Sequence, residues 1–149
     1  MAPGRAPTGK GKADETLVEP RNAFATAAPA GGSTPADAVF AENKWRLLRY
    51  RRPQGVPVGP RTPLLLVPSL INRHYILDLM PGKSFVEYLV ARGHDVFVID
   101  WGTPTAEDRF VTFDDIADRA IGRALHHVTA LTGQPRAHVL GYCMGGTLA

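Results

Sequence analysis

Three short apolar runs, each bounded by turn residues and separated by stretches of helical periodicity, predict an α/β chain built on a parallel sheet with helices on both faces. The runs are Leu64-Leu65-Leu66-Val67, Val96-Phe97-Val98-Ile99 and Ala137-His138-Val139-Leu140. Each is the length of a strand and too short for a helix of ordinary size. The alternation strand, helix, strand, helix, strand describes right-handed βαβ units.

Taken in order, residues 1–33 are rich in Ala, Pro, Gly and Thr and nearly free of aromatics. Such a segment buries too little surface to offset its ordering entropy, so a disordered tail is expected there. A turn at Gly31-Gly32-Ser33-Thr34-Pro35 leads into Val39–Arg52, read as a short helical start or an outer strand pair. Within it Lys44, Arg46, Arg49, Arg51 and Arg52 interleave with Trp45, Leu47, Leu48 and Tyr50. The near-alternation points to a solvated outer strand whose charges block edge pairing, with substrate phosphates as the other use for the cluster. Pro53, Pro57, Pro60 and Pro63 punctuate a loop before the first apolar run.

That run ends at Pro68-Ser69-Leu70-Ile71-Asn72. Ser84-Phe85-Val86-Glu87 matches a capping box, and Phe85, Val86, Leu89 and Val90 continue as an apolar stripe closed by Gly93. The second run, read as a buried strand, delivers Asp100 and Trp101 to its carboxyl end, where open α/β sheets bind ligands; a turn-capping role is the expectation for Asp100. Thr112 and Asp115 make another cap signature. Phe113, Ile116, Ala117, Ala120, Ile121, Ala124, Leu125, Val128 and Leu131 follow at helical intervals, and Gly133 closes the helix.

The third run, also expected to be a buried strand, opens into Gly141-Tyr142-Cys143-Met144-Gly145-Gly146. Strand, sharp turn and helix start around G-x-C-x-G form the nucleophile elbow of an α/β-hydrolase, with Cys where Ser is commoner. A free Cys is more often a small buried apolar residue; the strand–turn–helix setting is what argues for catalysis. Gly141 and Gly145 are small where strand and helix must pass closely, and Gly146 extends that tolerance. The Met144 amide, at the helix start, is the first oxyanion candidate. The second comes from the loop after the first run, through the backbone of Leu70 or Ile71. A helix start also favours thiolate over thiol. In this fold the catalytic acid and histidine follow the nucleophile in chain order, so residues 34–149 are expected to be the front half of a domain, truncated just after the elbow.

Composition narrows the classes further. The 149 residues carry one Cys, which excludes an internal disulfide framework and fits a reducing compartment. No signal peptide and no apolar run of membrane-spanning length is present, so a cytoplasmic location is expected. A net charge of +3 is only mildly basic, and no nucleic-acid module accompanies the basic cluster. His126 and His127 are helix neighbours pointing apart, and His74, His94 and His138 lack partners at ligand spacing; no metal and no cofactor is expected.

Several segments resemble polyhydroxyalkanoate (PHA) synthases: Leu66 through Leu79, Gly93-His94-Asp95-Val96-Phe97-Val98-Ile99-Asp100-Trp101-Gly102, Thr112-Phe113-Asp114-Asp115, and the G-Y-C-M-G-G turn. The likeness runs from about Thr34 to the end, leaves out residues 1–33, and is closer to the two-subunit class III enzymes, although Ser69-Leu70 departs from either class. The resemblance implies an acyltransferase that moves 3-hydroxyacyl groups from CoA thioesters, through Cys143, to a growing polyester. It further implies a polyester granule, and a partner subunit or homodimer. In the family a later His activates the Cys and the incoming hydroxyl, and a later Asp assists it. Dienelactone hydrolase, which has a similar Cys turn, and a non-catalytic interaction fragment are the alternatives.

Overall fold

The computed structural model describes residues 32–149; the expected tail lies outside them except for Gly32 and Ser33. Strands β1 (Ala36–Glu42) and β2 (Trp45–Tyr50) form a hairpin, followed by β3 (Leu64–Val67). A single 3-10 turn, His74–Leu77, leads into a small separate hairpin of β4 (Asp78–Met80) and β5 (Lys83–Ser84), and then α1 (Phe85–Val90). After β6 (Val96–Asp100) come a 3-10 turn at Ala106–Phe110, wide π turns at Asp115–Ile121, and α2 (Gly122–Thr132). The last elements are β7 (His138–Gly141) and α3 (Met144–Leu148).

The main sheet has the order β1-β2-β6-β3-β7. β3 runs parallel to both β6 and β7, whereas β1 and β2 are antiparallel, so the sheet is mixed rather than wholly parallel. The reason is local. Only Asn43 and Lys44 separate β1 from β2, and a two-residue connection can join neighbouring strands only when they run antiparallel. Asn43 takes φ 53, a left-handed value that Asn tolerates better than most residues.

Alternation along the strands divides the core in two. On one face Leu47, Leu65, Val67, Phe97 and Ile99 meet Ala120 and Ile121 of the π turns and Ala124 and Val128 of α2. On the other, Leu48, Leu66, Val96 and Val98 meet Val86, Leu89 and Val90 of α1. Each fully buried Leu, Val or Phe contributes about 1.5–3 kcal/mol, so both helical layers are needed to close the sheet. The expected stripes are therefore correct at their centres. They fail at their ends, where Phe85, Phe113 and Leu131 are exposed because each sits at a helix terminus beyond the sheet's edge of contact.

Two further expectations need correction. Val39–Arg52 does hold an outer strand pair, β1 and β2, but within it the basic strand β2 is not the edge: it lies between β1 and β6, and its half-exposed arginines are paired with carboxylates. Arg46 pairs with Asp100 and Arg49 with Asp95, each through two guanidinium nitrogens. The third apolar run is not a buried strand either. β7 is the edge of the described sheet, with His138 and Val139 exposed.

One capping signature forms in full and the other by half. Ser84 Oγ accepts the Glu87 amide at 2.9 Å, although the Glu87 carboxylate reaches Gly82 N instead of closing the box. Thr112 and Asp115 cap each other reciprocally. Asp78, fully buried, gathers Ser33 Oγ, Thr34 N, Thr34 Oγ1 and Ser84 Oγ, tying the start of the described chain to the β4–β5 hairpin.

Candidate functional site

The carboxyl ends of β3, β6 and β7 lie side by side, since Val67 pairs with Gly141 and Leu66 with both Val98 and Leu140. From β7 the chain makes one sharp turn into α3. Cys143 sits in that turn at φ 56, ψ −126, a strained conformation for a residue with a Cβ, and it is exposed.

Close packing around the turn explains the glycines. A Cβ on Gly145 would lie 2.0 Å from Val67 O and 2.8 Å from Pro68 O; one on Gly141 would lie 2.4 Å from the Gly146 Cα. Neither can be accommodated without moving backbone. Gly146 is less constrained, its nearest neighbour being Gly141 O at 3.3 Å. Tyr142 N donates to Val67 O at 2.9 Å, locking the turn to the end of β3.

The amides expected to face an oxyanion differ in their availability. Gly145 N and Gly146 N donate to Tyr142 O and Cys143 O, whereas Met144 N has no acceptor among the described residues. In the loop after β3, Ile71 N donates to Ser69 Oγ at 3.2 Å, while Leu70 N has no such partner. Of the two positions left open by sequence, Leu70 is the one with a free donor.

That loop is bound to the tail of β6. Trp101 Nε1 donates to Pro68 O at 3.0 Å, and Arg73 donates to Gly102 O and Thr103 Oγ1, both at 2.8 Å. Asp100 does cap its turn, accepting Gly102 N at 3.1 Å. It also takes Arg46 on Oδ2 and meets His74 Nδ1 at 3.1 Å through Oδ1, so turn capping is only part of its role. Burial alone would raise the Asp100 pKa, but His74, Arg46 and the Gly102 amide outweigh it and hold the carboxyl far below its ordinary value. His74 and Asp100 are both buried at this contact, and Nε2 of the same ring has no partner among the described residues.

Two cavities adjoin this loop. One, of about 160 Å³, is polar and lies between Leu70–His74 and Asp100–Gly102. The other, of about 460 Å³, is largely apolar, with Trp45, Leu70, Trp101, Phe110 and Ile116 in its walls. Leu70 borders both, and Cys143 lines neither. Among the described residues no three His, Cys, Asp or Glu side chains gather as a metal site would require, and no helix is long and apolar enough to cross a membrane.

A mixed sheet between helical layers, with a cysteine at its carboxyl edge, defines the class as an α/β protein. Comparison with known proteins narrows it. The N-terminal family of poly-beta-hydroxybutyrate polymerase (PhaC) matches residues 20–89, reaching back beyond Thr34, where the sequence motifs place the start of the likeness. The Poly(3-hydroxyalkanoate) polymerase subunit PhaC of Haloferax mediterranei is 44% identical over 118 residues, 79% of this chain and 24% of that protein. The subunit of the same name from Allochromatium vinosum is 39% identical, over 79% of this chain and 33% of its own length. That from Cupriavidus necator is 41% identical, over 77% of this chain and 19% of its own. The chain is PHA-synthase-like, and it spans between about a fifth and a third of the length of these relatives.

Proposed function

We propose that the chain carries the nucleophile of a PHA-synthase-type acyltransferase with an α/β-hydrolase fold, to which residues 34–149 belong. The observation that supports this most directly is the backbone of Cys143, φ 56 and ψ −126, held between β7 and α3 by contacts that leave no space for side chains at Gly141 and Gly145. A turn of this kind lifts a nucleophile above the sheet and brings the next amide toward the carbonyl it attacks.

In this reading the Cys143 sulfur, as thiolate, attacks the carbonyl carbon of a 3-hydroxyacyl-CoA. The C–S bond to CoA breaks, and CoA departs as a thiol after taking up a proton. One thioester has replaced another, so the acyl group remains activated. The hydroxyl of a further hydroxyacyl unit then attacks, loses its proton, and receives the acyl group as an oxygen ester while Cys143 is released. A serine would hold the acyl group as a less activated ester. Met144 N and Leu70 N are the donors assigned to the developing oxyanion. No residue of this chain is assigned as base.

The substrate is a 3-hydroxyacyl-CoA, the product a polyester in a cytoplasmic granule, and the class III architecture with a partner subunit is the assembly favoured by the Ile99-Asp100-Trp101-Gly102 segment. In the protein that carries this sequence, Cys143→Ala should lower CoA release from 3-hydroxybutyryl-CoA by a factor on the order of 10⁴ or more, since no covalent step remains. Release at the wild-type rate would refute the assignment.

A further inference from the structure

His74 is the one histidine that the structure buries at the edge of the candidate site, its side chain 3% exposed. It directly follows the loop that carries Leu70. Nε2 has no partner among the described residues, and Nδ1 meets only Asp100. Leaving a buried ring nitrogen unsatisfied is costly, and an apolar side chain of similar size would fill the same space without that cost. The imidazole's contribution therefore lies in its contact with Asp100.

The surroundings show what that contact controls. Ser69 and His74 are buried at the two ends of this stretch, but between Leu70–Arg73 and Asp100–Gly102 lies the polar cavity of about 160 Å³, so close packing does not fix the exposed middle of the loop. Polar contacts do. Three come from the β6 tail: Trp101 to Pro68, Arg73 to Gly102 and Thr103, and His74 to Asp100. The Arg73 contacts are exposed, where water competes with them. His74 and Asp100 are both buried, and Asp100 is itself held by Arg46 and by the Gly102 amide.

We propose that His74 is a positioning residue: by holding the end of the 68–73 loop against Asp100, it sets the place of the Leu70 amide relative to the Cys143 turn. This rests on the oxyanion role given to Leu70 above. His74 touches no reacting atom and takes no proton from substrate. Loss of the contact lets the loop relax into the cavity, weakening the interaction that forms only as the oxyanion develops.

The test uses the protein that carries this sequence, with His74→Leu, His74→Asn and Cys143→Ala. Asn places an amide nitrogen the same number of bonds from Cα as Nδ1, so it can keep the Asp100 contact, whereas Leu cannot. With 3-hydroxybutyryl-CoA, His74→Leu should lose about 10- to 100-fold in kcat, within the range for a weakened oxyanion donor, with KM changed less than about twofold. Alkylation of Cys143 by iodoacetamide needs no oxyanion and should stay within about twofold of wild type. His74→Asn should recover kcat to within about threefold of wild type. A kcat for His74→Leu within twofold of wild type overturns the proposal, as does a parallel loss of alkylation, which would mean that the turn itself has collapsed. If His74→Leu does not fold, His74→Asn decides alone: near-normal kcat supports the proposal and a tenfold loss overturns it. Turnover surviving Cys143→Ala overturns the nucleophile reading and this inference with it. A Cys143-dependent enzyme indifferent to His74→Leu overturns this inference alone.

Discussion

At the scale of single residues, glycine and aspartate set the sharpest limits. Gly145 has backbone oxygens where a methyl group would go, the nearer at 2.0 Å, so Gly145→Ala should cost at least about 3 kcal/mol or prevent folding. Gly146→Ala needs a shift of only a few tenths of an ångström and should cost about 1 kcal/mol or less. Urea titration of the two variants measures the contrast; equal midpoints would show that helix and strand do not pass this closely. Asp78 and Asp100 supply a pH dependence of known sign. Burial acts to raise both pKa values, but hydrogen bonds from Ser84, Thr34 and Ser33 lower that of Asp78, and His74 and Arg46 lower that of Asp100. A carboxyl whose folded pKa is depressed adds stability above its unfolded value of about 4 and loses it as pH falls through the folded one. Stability should therefore hold between about pH 5 and 7 and decline below about pH 4. For Asp78→Asn the deficit against wild type should shrink as the pH falls, which unfolding midpoints at several pH values would reveal.

Among secondary-structure elements, α1 is short enough that its cap matters. Ser84 accepts the Glu87 amide and donates to buried Asp78, so Ser84→Ala removes a cap and a carboxylate partner together. The expected loss is about 1–3 kcal/mol, read from thermal or urea unfolding. This element also shows how far a sequence can be read. Ser84, Glu87 and Gly93 announce the helix through local chemistry, and Thr112, Asp115 and Gly133 announce the next one. The hairpin β4–β5 went unforeseen because Asp78–Ser84 carries no alternation; it is organised by the carboxylate of Asp78, whose donors at Ser33 and Thr34 are more than forty residues away in sequence. β2 was legible as a strand but not as an interior one. Its arginines look like an edge signal until Asp95 and Asp100 are seen beside them.

Across the whole molecule the α/β class and the helical layers followed from short apolar runs and 3.6-residue periodicity, while the antiparallel flank did not, since periodicity does not encode strand direction. Cys143 and its glycines were visible as a motif. His74 was not, because a lone histidine without ligand spacing gives no signal, and its burial depends on the β6 tail. The π turns and α2 approach the sheet through Ala120 and Ala124, which are buried against larger strand residues. Ala124→Leu should therefore force helix and sheet apart at a cost of about 1–3 kcal/mol, checked by calorimetry against Ala130→Leu, which is exposed and should change little.

The two-residue connection between β1 and β2 has a kinetic consequence. Glu42 and Trp45 meet across Asn43-Lys44 almost as soon as the chain is extended, whereas joining Val67 to Gly141 closes a loop of more than seventy residues. Loop-closure entropy delays the second contact relative to the first. The hairpin should form early in refolding and the strained cysteine turn last, after β3 is already paired to β6. Pulsed hydrogen exchange would show early protection at Leu47 and Leu48 and late protection at Tyr142, whose amide depends on Val67 O. Until that last closure, nothing holds Cys143 at φ 56.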